Sequence, residues 1–112
     1  KESRDKELSK IVLDLKEMAK VLDVPVVLMS QLSRDIEKRE NRRPMLCDLR
    51  ETQGLEAHAD VVVMLYRDEF YHPETEERGI AELIVTKHRN GPVGTVKLLF
   101  EPQFTRYRNL AA

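Results

Sequence analysis

The sequence predicts an α/β fold, a mainly parallel sheet flanked by helices with an antiparallel β-hairpin near its C-terminal end. Three observations carry this expectation. A helical pattern over residues 5–22 runs straight into a short continuous apolar stretch, residues 24–30. A second such stretch, residues 61–66, follows a charged middle region. Two further β-prone runs, 80–86 and 95–100, flank an Asn-Gly pair. Short apolar runs bounded by turn signals read as strands buried on both faces, and a helix feeding such a strand is half of a βαβ unit.

The helix rests on the spacing of Leu8, Ile11, Val12, Leu15, Met18, Ala19 and Leu22, which lie on one face of a 3.6-residue period. Ser3 is the candidate N-cap, without the Glu three residues on that would complete a capping box. Asp23 and Pro25 stop the helix. The following strand ends at Ser30-Gln31-Leu32-Ser33-Arg34. Ligands of open α/β sheets bind outside the carboxyl ends of strands, so Ser30, Gln31, Ser33 and Arg34 stand where chemistry is expected. A polar loop closure explains the same residues equally well.

Residues 35–49 lose all periodicity and interleave basic and acidic side chains around Pro44, which predicts a mobile, solvated surface loop. Cys47 in this loop has no surroundings of an activated nucleophile. Residues 48–59 read as a short helix interrupted by Gly54. Residues 68–78 are polar and predict an exposed excursion, and residues 104–107 a short edge strand. The three histidines, His58, His72 and His88, lack metal-ligand spacing, so no metal is assigned to them.

Asn90-Gly91 between two apolar runs is the strongest local hairpin signal, because both residues tolerate positive φ, and Pro92 and Gly94 lengthen the loop. Lys87 and Arg89 then sit just before a rigid tip. Such a tip suits capture of a phosphate, but on the hairpin alone a charged edge that discourages strand pairing is the favoured reading.

Composition sets outer bounds. The chain has 112 residues, 41% hydrophobic and 35% charged, with a net charge of −1. That is one globular domain without a global nucleic-acid footprint, so DNA contact must come from locally placed groups. A single cysteine fits a reduced, cytoplasmic setting, and neither a membrane span nor a signal peptide is expected. Lys1 opens into a helix-prone segment without an initiating methionine, as a fragment or a processed product would. Three Tyr and three Phe with no stacking-platform pattern disfavour a small RNA-binding domain.

Three stretches carry a resemblance when taken together. They are Pro25-Val-Val-Leu-Met-Ser-Gln-Leu-Ser-Arg34, then Arg43-Pro-Met-Leu-Cys-Asp-Leu-Arg-Glu51 with Ala59-Asp60 following, and Lys87-His-Arg-Asn-Gly-Pro-Val-Gly94. Their order and spacing resemble the C-terminal RecA-like motor domain of the bacterial replicative DNA helicase, the DnaB family. The resemblance covers residues 1–112 as one partial motor domain, the second half of a RecA-like P-loop ATPase domain. It implies a homo-hexameric ring that hydrolyses ATP with Mg²⁺, translocates on single-stranded DNA to unwind duplex, and works with a primase and a helicase loader. It further implies that Gln31 faces the nucleotide phosphates and links them to the DNA loops. Arg50, Glu51, Gln53 and Gly54 match the loop that lines the DNA channel. Arg89 matches an arginine finger, with Lys87 beside it, and both would reach the nucleotide of the neighbouring subunit. Two departures stand out: Thr52-Gln53-Gly54 replaces a Ser-Gly-Ser, and Ala57 replaces the amide of the family's Glu-Gln-Asp-Ala-Asp, so Ala57 is given no polar role. No Gly-x-x-x-x-Gly-Lys-Ser/Thr loop occurs, nor an apolar strand ending in a magnesium-binding acid. In the family these lie upstream, and this chain alone is expected not to hydrolyse ATP. The alternative is a non-catalytic RecA-like module that docks on a ring or on DNA without turnover.

Overall fold

A computed structural model describes residues 2–110, without the side chains of residues 2–5 and 50–54. The chain divides into two compact units, Lys1–Asp60 and Val61–Ala112.

The first unit begins with helix α1, Glu2–Leu22. Ser3 falls inside it and not at its cap. Its end is chemically explicit. Asp23 takes a left-handed φ of 55°, and the Val24 amide reaches back to the Ala19 carbonyl at 3.1 Å. That is the Schellman closure, with aspartate where glycine is usual. Of the predicted apolar face Val12 is buried, whereas Ile11 and Leu22 are exposed. α1 packs on helix α2, Gln53–His58, which contains Gly54. Lys16 locks the pair by donating to the His58 carbonyl and to Asp60 Oδ1, both at 3.1 Å. A lysine on the last carbonyls of a helix satisfies orphan acceptors and meets the negative end of its dipole.

Two expectations are corrected in this unit. Residues 24–30 form no strand, and none of them is buried; Val27 and Met29 are 88% and 91% exposed. A strand apolar on both faces is covered only when other strands flank it and helices lie on both sides. Among the described residues no strand pairs with this stretch. The predicted loop over 35–49 is instead tied into two 3₁₀ helices, Arg34–Lys38 and Leu46–Thr52, the latter kinked at Leu49. Ile36 and Leu49 are buried in this unit. A mixed-charge run hides such order because periodicity cannot register an ion pair nine residues apart.

The second unit is a four-stranded antiparallel meander in the order β1-β2-β3-β4, made of Val61–Tyr66, Ile80–His88, Gly94–Glu101 and Arg106–Asn109. The mainly parallel arrangement is therefore not what the described strands form. Their connections, residues 67–79, 89–93 and 102–105, hold no more than one turn of helix (α3, Asp68–Tyr71, in the first). Connections of that kind return a strand antiparallel, whereas a parallel pair needs a full crossover. β1 is also one-sided: Met64 and Tyr66 are buried while Val61, Val63 and Leu65 are exposed. The C-terminal edge strand is present, displaced past Phe104, which lies in a 3₁₀ turn that ends on Thr105 at φ 47°.

The polar excursion after β1 is organised around Asp68. Its carboxylate accepts from the Tyr66 hydroxyl at 2.7 Å and from the Thr75 hydroxyl, and it pairs with His72 Nδ1 at 3.1 Å. The Thr75 and Tyr66 hydroxyls hold the Asp68 pKa below the ordinary carboxylate value, with His72 adding to them. Glu69 accepts the Gly79 amide at 3.0 Å, and Gly79, at φ 73°, turns the chain into β2.

Candidate functional site

The cationic tip is built by the register of three strands. β2 pairs with β3 only as far as Val85↔Gly94. Beyond that point β2 continues against β1, through Val62↔Lys87 and Val61↔His88. Between Val63↔Val85 and Val62↔Lys87 one residue is extra, so Thr86 forms a β-bulge. Its hydroxyl donates to the Val62 carbonyl at 3.3 Å. Bulges re-aim the side chains that follow them, and here the next are Lys87, half-buried, and then the turn residue Arg89, exposed.

The tip itself differs from the expected turn. Neither Asn90 nor Gly91 adopts positive φ; among described residues only Asp23, Gly79 and Thr105 do. The loop instead spans residues 89–93 and closes with the Gly91 amide donating to the His88 carbonyl at 3.3 Å. The His88 ring folds over it, with Nδ1 3.0 Å from the Pro92 carbonyl oxygen. The longer loop signalled by Pro92 and Gly94 is what forms, and it removes the need for a left-handed Asn-Gly.

Gln31 belongs to the first unit, where it is exposed. Ser30 donates to its carbonyl at 3.2 Å. Two residues on, the Ser33 side chain caps the first 3₁₀ helix by accepting the Asp35 amide, and the Ser33 amide donates to the Asp48 carbonyl at 3.0 Å. Arg50 and Glu51 follow within the 3₁₀ helix Leu46–Thr52, and Gln53 and Gly54 open α2. The side chains of these four lie outside the described ones, so their DNA-binding assignment stays an expectation. The structure brings Lys87 and Arg89 onto one hairpin and ties the segment of Gln31 to that of Arg50 through one backbone hydrogen bond.

The sequence did not single out the residue that braces this segment. Asp48 is buried, 4% exposed at its side chain, and receives a two-pronged Arg39: Nη1 to Oδ1 at 2.7 Å and Nη2 to Oδ2 at 3.0 Å. The Met45 amide adds a third bond at 2.7 Å. Arg39 also donates to the carbonyls of Asn41 and Arg43. The hydrogen bond with Asp48 holds Arg39 more firmly protonated than an ordinary arginine. The mixed-charge run around Pro44 did not distinguish Arg39 from Arg42 or Arg43.

Residues 1–109 match the family described as DnaB-like helicase C terminal domain. The chain belongs to this family. It is 48% identical over 110 residues to the replicative DNA helicase DnaC of Bacillus subtilis, and 47% identical to the replicative DNA helicase DnaB of Geobacillus stearothermophilus. Each comparison covers 98% of this chain and 24% of the relative, so the chain spans about a quarter of their length. Among solved structures, one described as an ATPase domain superposes with a TM-score of 0.92 at 50% identity, covering 96% of this chain and 38% of that one. A DnaB-like replicative helicase, described with its interactions with primase, gives 0.91 at 50% identity, covering 96% of this chain and 26% of that one. The fold is thus that of part of a DnaB-like helicase ATPase domain. No helix of the described residues is long and apolar enough to cross a membrane.

Proposed function

We propose that this chain is part of a replicative, ATP-dependent DNA helicase that works in the cytoplasm. As a homo-hexameric ring it would unwind duplex DNA by translocating on single-stranded DNA. The observation that carries this reading is the cationic hairpin tip, bulged and closed over by His88, in a chain of the DnaB-like C-terminal family. In this reading Arg89 is the arginine finger and Lys87 its companion, both directed at the nucleotide of the next subunit. A guanidinium stabilises the charge that builds on the transferring phosphoryl group, and its planar fork suits phosphate oxygens. Gln31 faces the phosphates of its own subunit's nucleotide. Arg50, Glu51, Gln53 and Gly54 line the channel, where Arg50 meets the DNA backbone.

In the longer protein, residues 24–30 become an inner strand of a mainly parallel RecA-like sheet, which accounts for their apolar side chains. ATP is the substrate, and its phosphate loop and magnesium site are assigned outside these residues. Among the described residues no cluster of three or more His, Cys, Asp or Glu could hold a metal. Without the phosphate-loop motif, the chain alone is expected to be inactive. Primase and a loader are the expected partners, since one solved relative is described with primase.

Mixing subunits tests the finger. Arg89→Ala in the full-length ring should lower turnover by roughly 10³-fold or more while nucleotide binding and ring formation persist. Arg89→Lys should rescue poorly. Rings mixed from Arg89→Ala subunits and subunits lacking the phosphate-loop lysine should regain hydrolysis at interfaces where both groups are intact. No recovery despite verified co-assembly returns the hairpin to a charged edge.

A further inference from the structure

We infer that His88 is a positioning residue, whose ring latches the hairpin tip and so fixes the direction in which Arg89 leaves it. The inference rests on the reading of Arg89 as a finger and adds the part that holds it. Between Val85↔Gly94 and the turn there is no β2–β3 ladder, so residues 86–93 must be held in some other way. β1 secures one side, through Val61↔His88 and the Thr86 hydroxyl on the Val62 carbonyl. His88 closes the loop from the other side: its carbonyl accepts the Gly91 amide, and its Nδ1 lies 3.0 Å from the Pro92 carbonyl oxygen. A carbonyl only accepts, so this contact requires the ring to carry its proton on Nδ1.

The ring also lies close against Gly91. A Cβ there would come within 2.6 Å of Nδ1 and 3.0 Å of Nε2, and closer still to Cε1. Gly91 is not in the left-handed region, so the obstacle to a Cβ there is the His88 ring, which would have to leave the Pro92 carbonyl to make room. His88 and Gly91 therefore form one device, and Arg89, bonded directly to His88, takes its orientation from it.

The full-length helicase ring is the material for the test, with ATP turnover and hydrogen exchange by mass spectrometry as readouts. His88→Ala should speed exchange in the tip peptide and lower kcat by about 3- to 10-fold, the range of one hydrogen bond, with KM for ATP little changed. His88→Asn should restore both, because its amide nitrogen occupies the place of Nδ1. Gly91→Ala should be costly beside His88 and nearly harmless in the His88→Ala background. Unchanged tip exchange in His88→Ala, or a Gly91→Ala cost that is the same in both backgrounds, overturns the latch. If Arg89→Ala leaves turnover intact, the finger reading falls and the positioning role with it. If Arg89→Ala abolishes turnover while the two tip substitutions are additive, the latch alone falls.

Discussion

Arg39→Met removes the two guanidinium bonds to a carboxylate that is 4% exposed. Removing one side of a part-buried pair strips the Asp48 carboxylate of two charge-assisted hydrogen bonds and loosens the segment it braces. Arg39 itself is 28% exposed, so water can follow the methionine into part of the space. The Met45 amide at 2.7 Å also survives the change. Both points limit the effect, so the expected outcome is roughly a tenfold loss of protection at the amides around Asp48. The assay is amide exchange at Met45, which donates to the Asp48 carboxylate, and at Ser33, which donates to the Asp48 carbonyl. The loss should stay within the first unit, leaving β2 and β3 amides as they were. Arg39→Lys should fall between, since it keeps the charge and loses the fork. A change below about 3-fold at both amides would show that the pair is a surface contact and braces nothing.

Two further outcomes follow from charge. The folded Asp68 pKa lies below its ordinary value, so its contribution to stability is complete above that value and is lost as pH falls through the folded one; the Tm difference between the wild type and Asp68→Asn should shrink as pH drops below about 4, and a constant gap would contradict the clasp. Arg50→Ala in the full-length ring should weaken single-strand binding alike for all sequences and flatten its salt dependence; an unchanged salt slope removes Arg50 from the DNA backbone.

Local signals were legible where local chemistry decides. The α1 period, its stop at Asp23, the hairpin and the C-terminal edge strand are each set by neighbouring residues, and each is present. Residues 24–30 pair with no strand among the described residues, because an apolar run declares that it needs covering and not which strands cover it. The Asn-Gly signal placed the turn and missed its conformation, since the His88 ring, a contact across four residues, chose a wider loop. Arg39 and Asp48 were invisible inside a run of mixed charge, where only three-dimensional burial separates a clamp from a solvated pair. Lys87, Arg89 and Gln31 are expected as a set only through the order of three motifs, none of which is specific by itself.

The brace joins the two segments of the first unit that carry Gln31 and Arg50. Gln31 stands two residues before Ser33, and Arg50 two residues after Asp48. The Ser33 amide on the Asp48 carbonyl joins the two segments through backbone alone, a bond indifferent to side-chain identity. The Asp48 carboxylate then fixes that joint from the other side by taking Arg39. In the proposed reading the neutral Gln31 answers to phosphate without carrying charge of its own, whereas Arg50 would bring a fixed charge to DNA. Coupling between the proposed nucleotide and DNA contacts requires that the joint between them move as one piece, because an element that yields locally transmits no difference in free energy from one ligand to the other. A buried carboxylate held by a guanidinium fork and a backbone amide is suited to that role, since any displacement that leaves the fork gives up two charge-assisted hydrogen bonds.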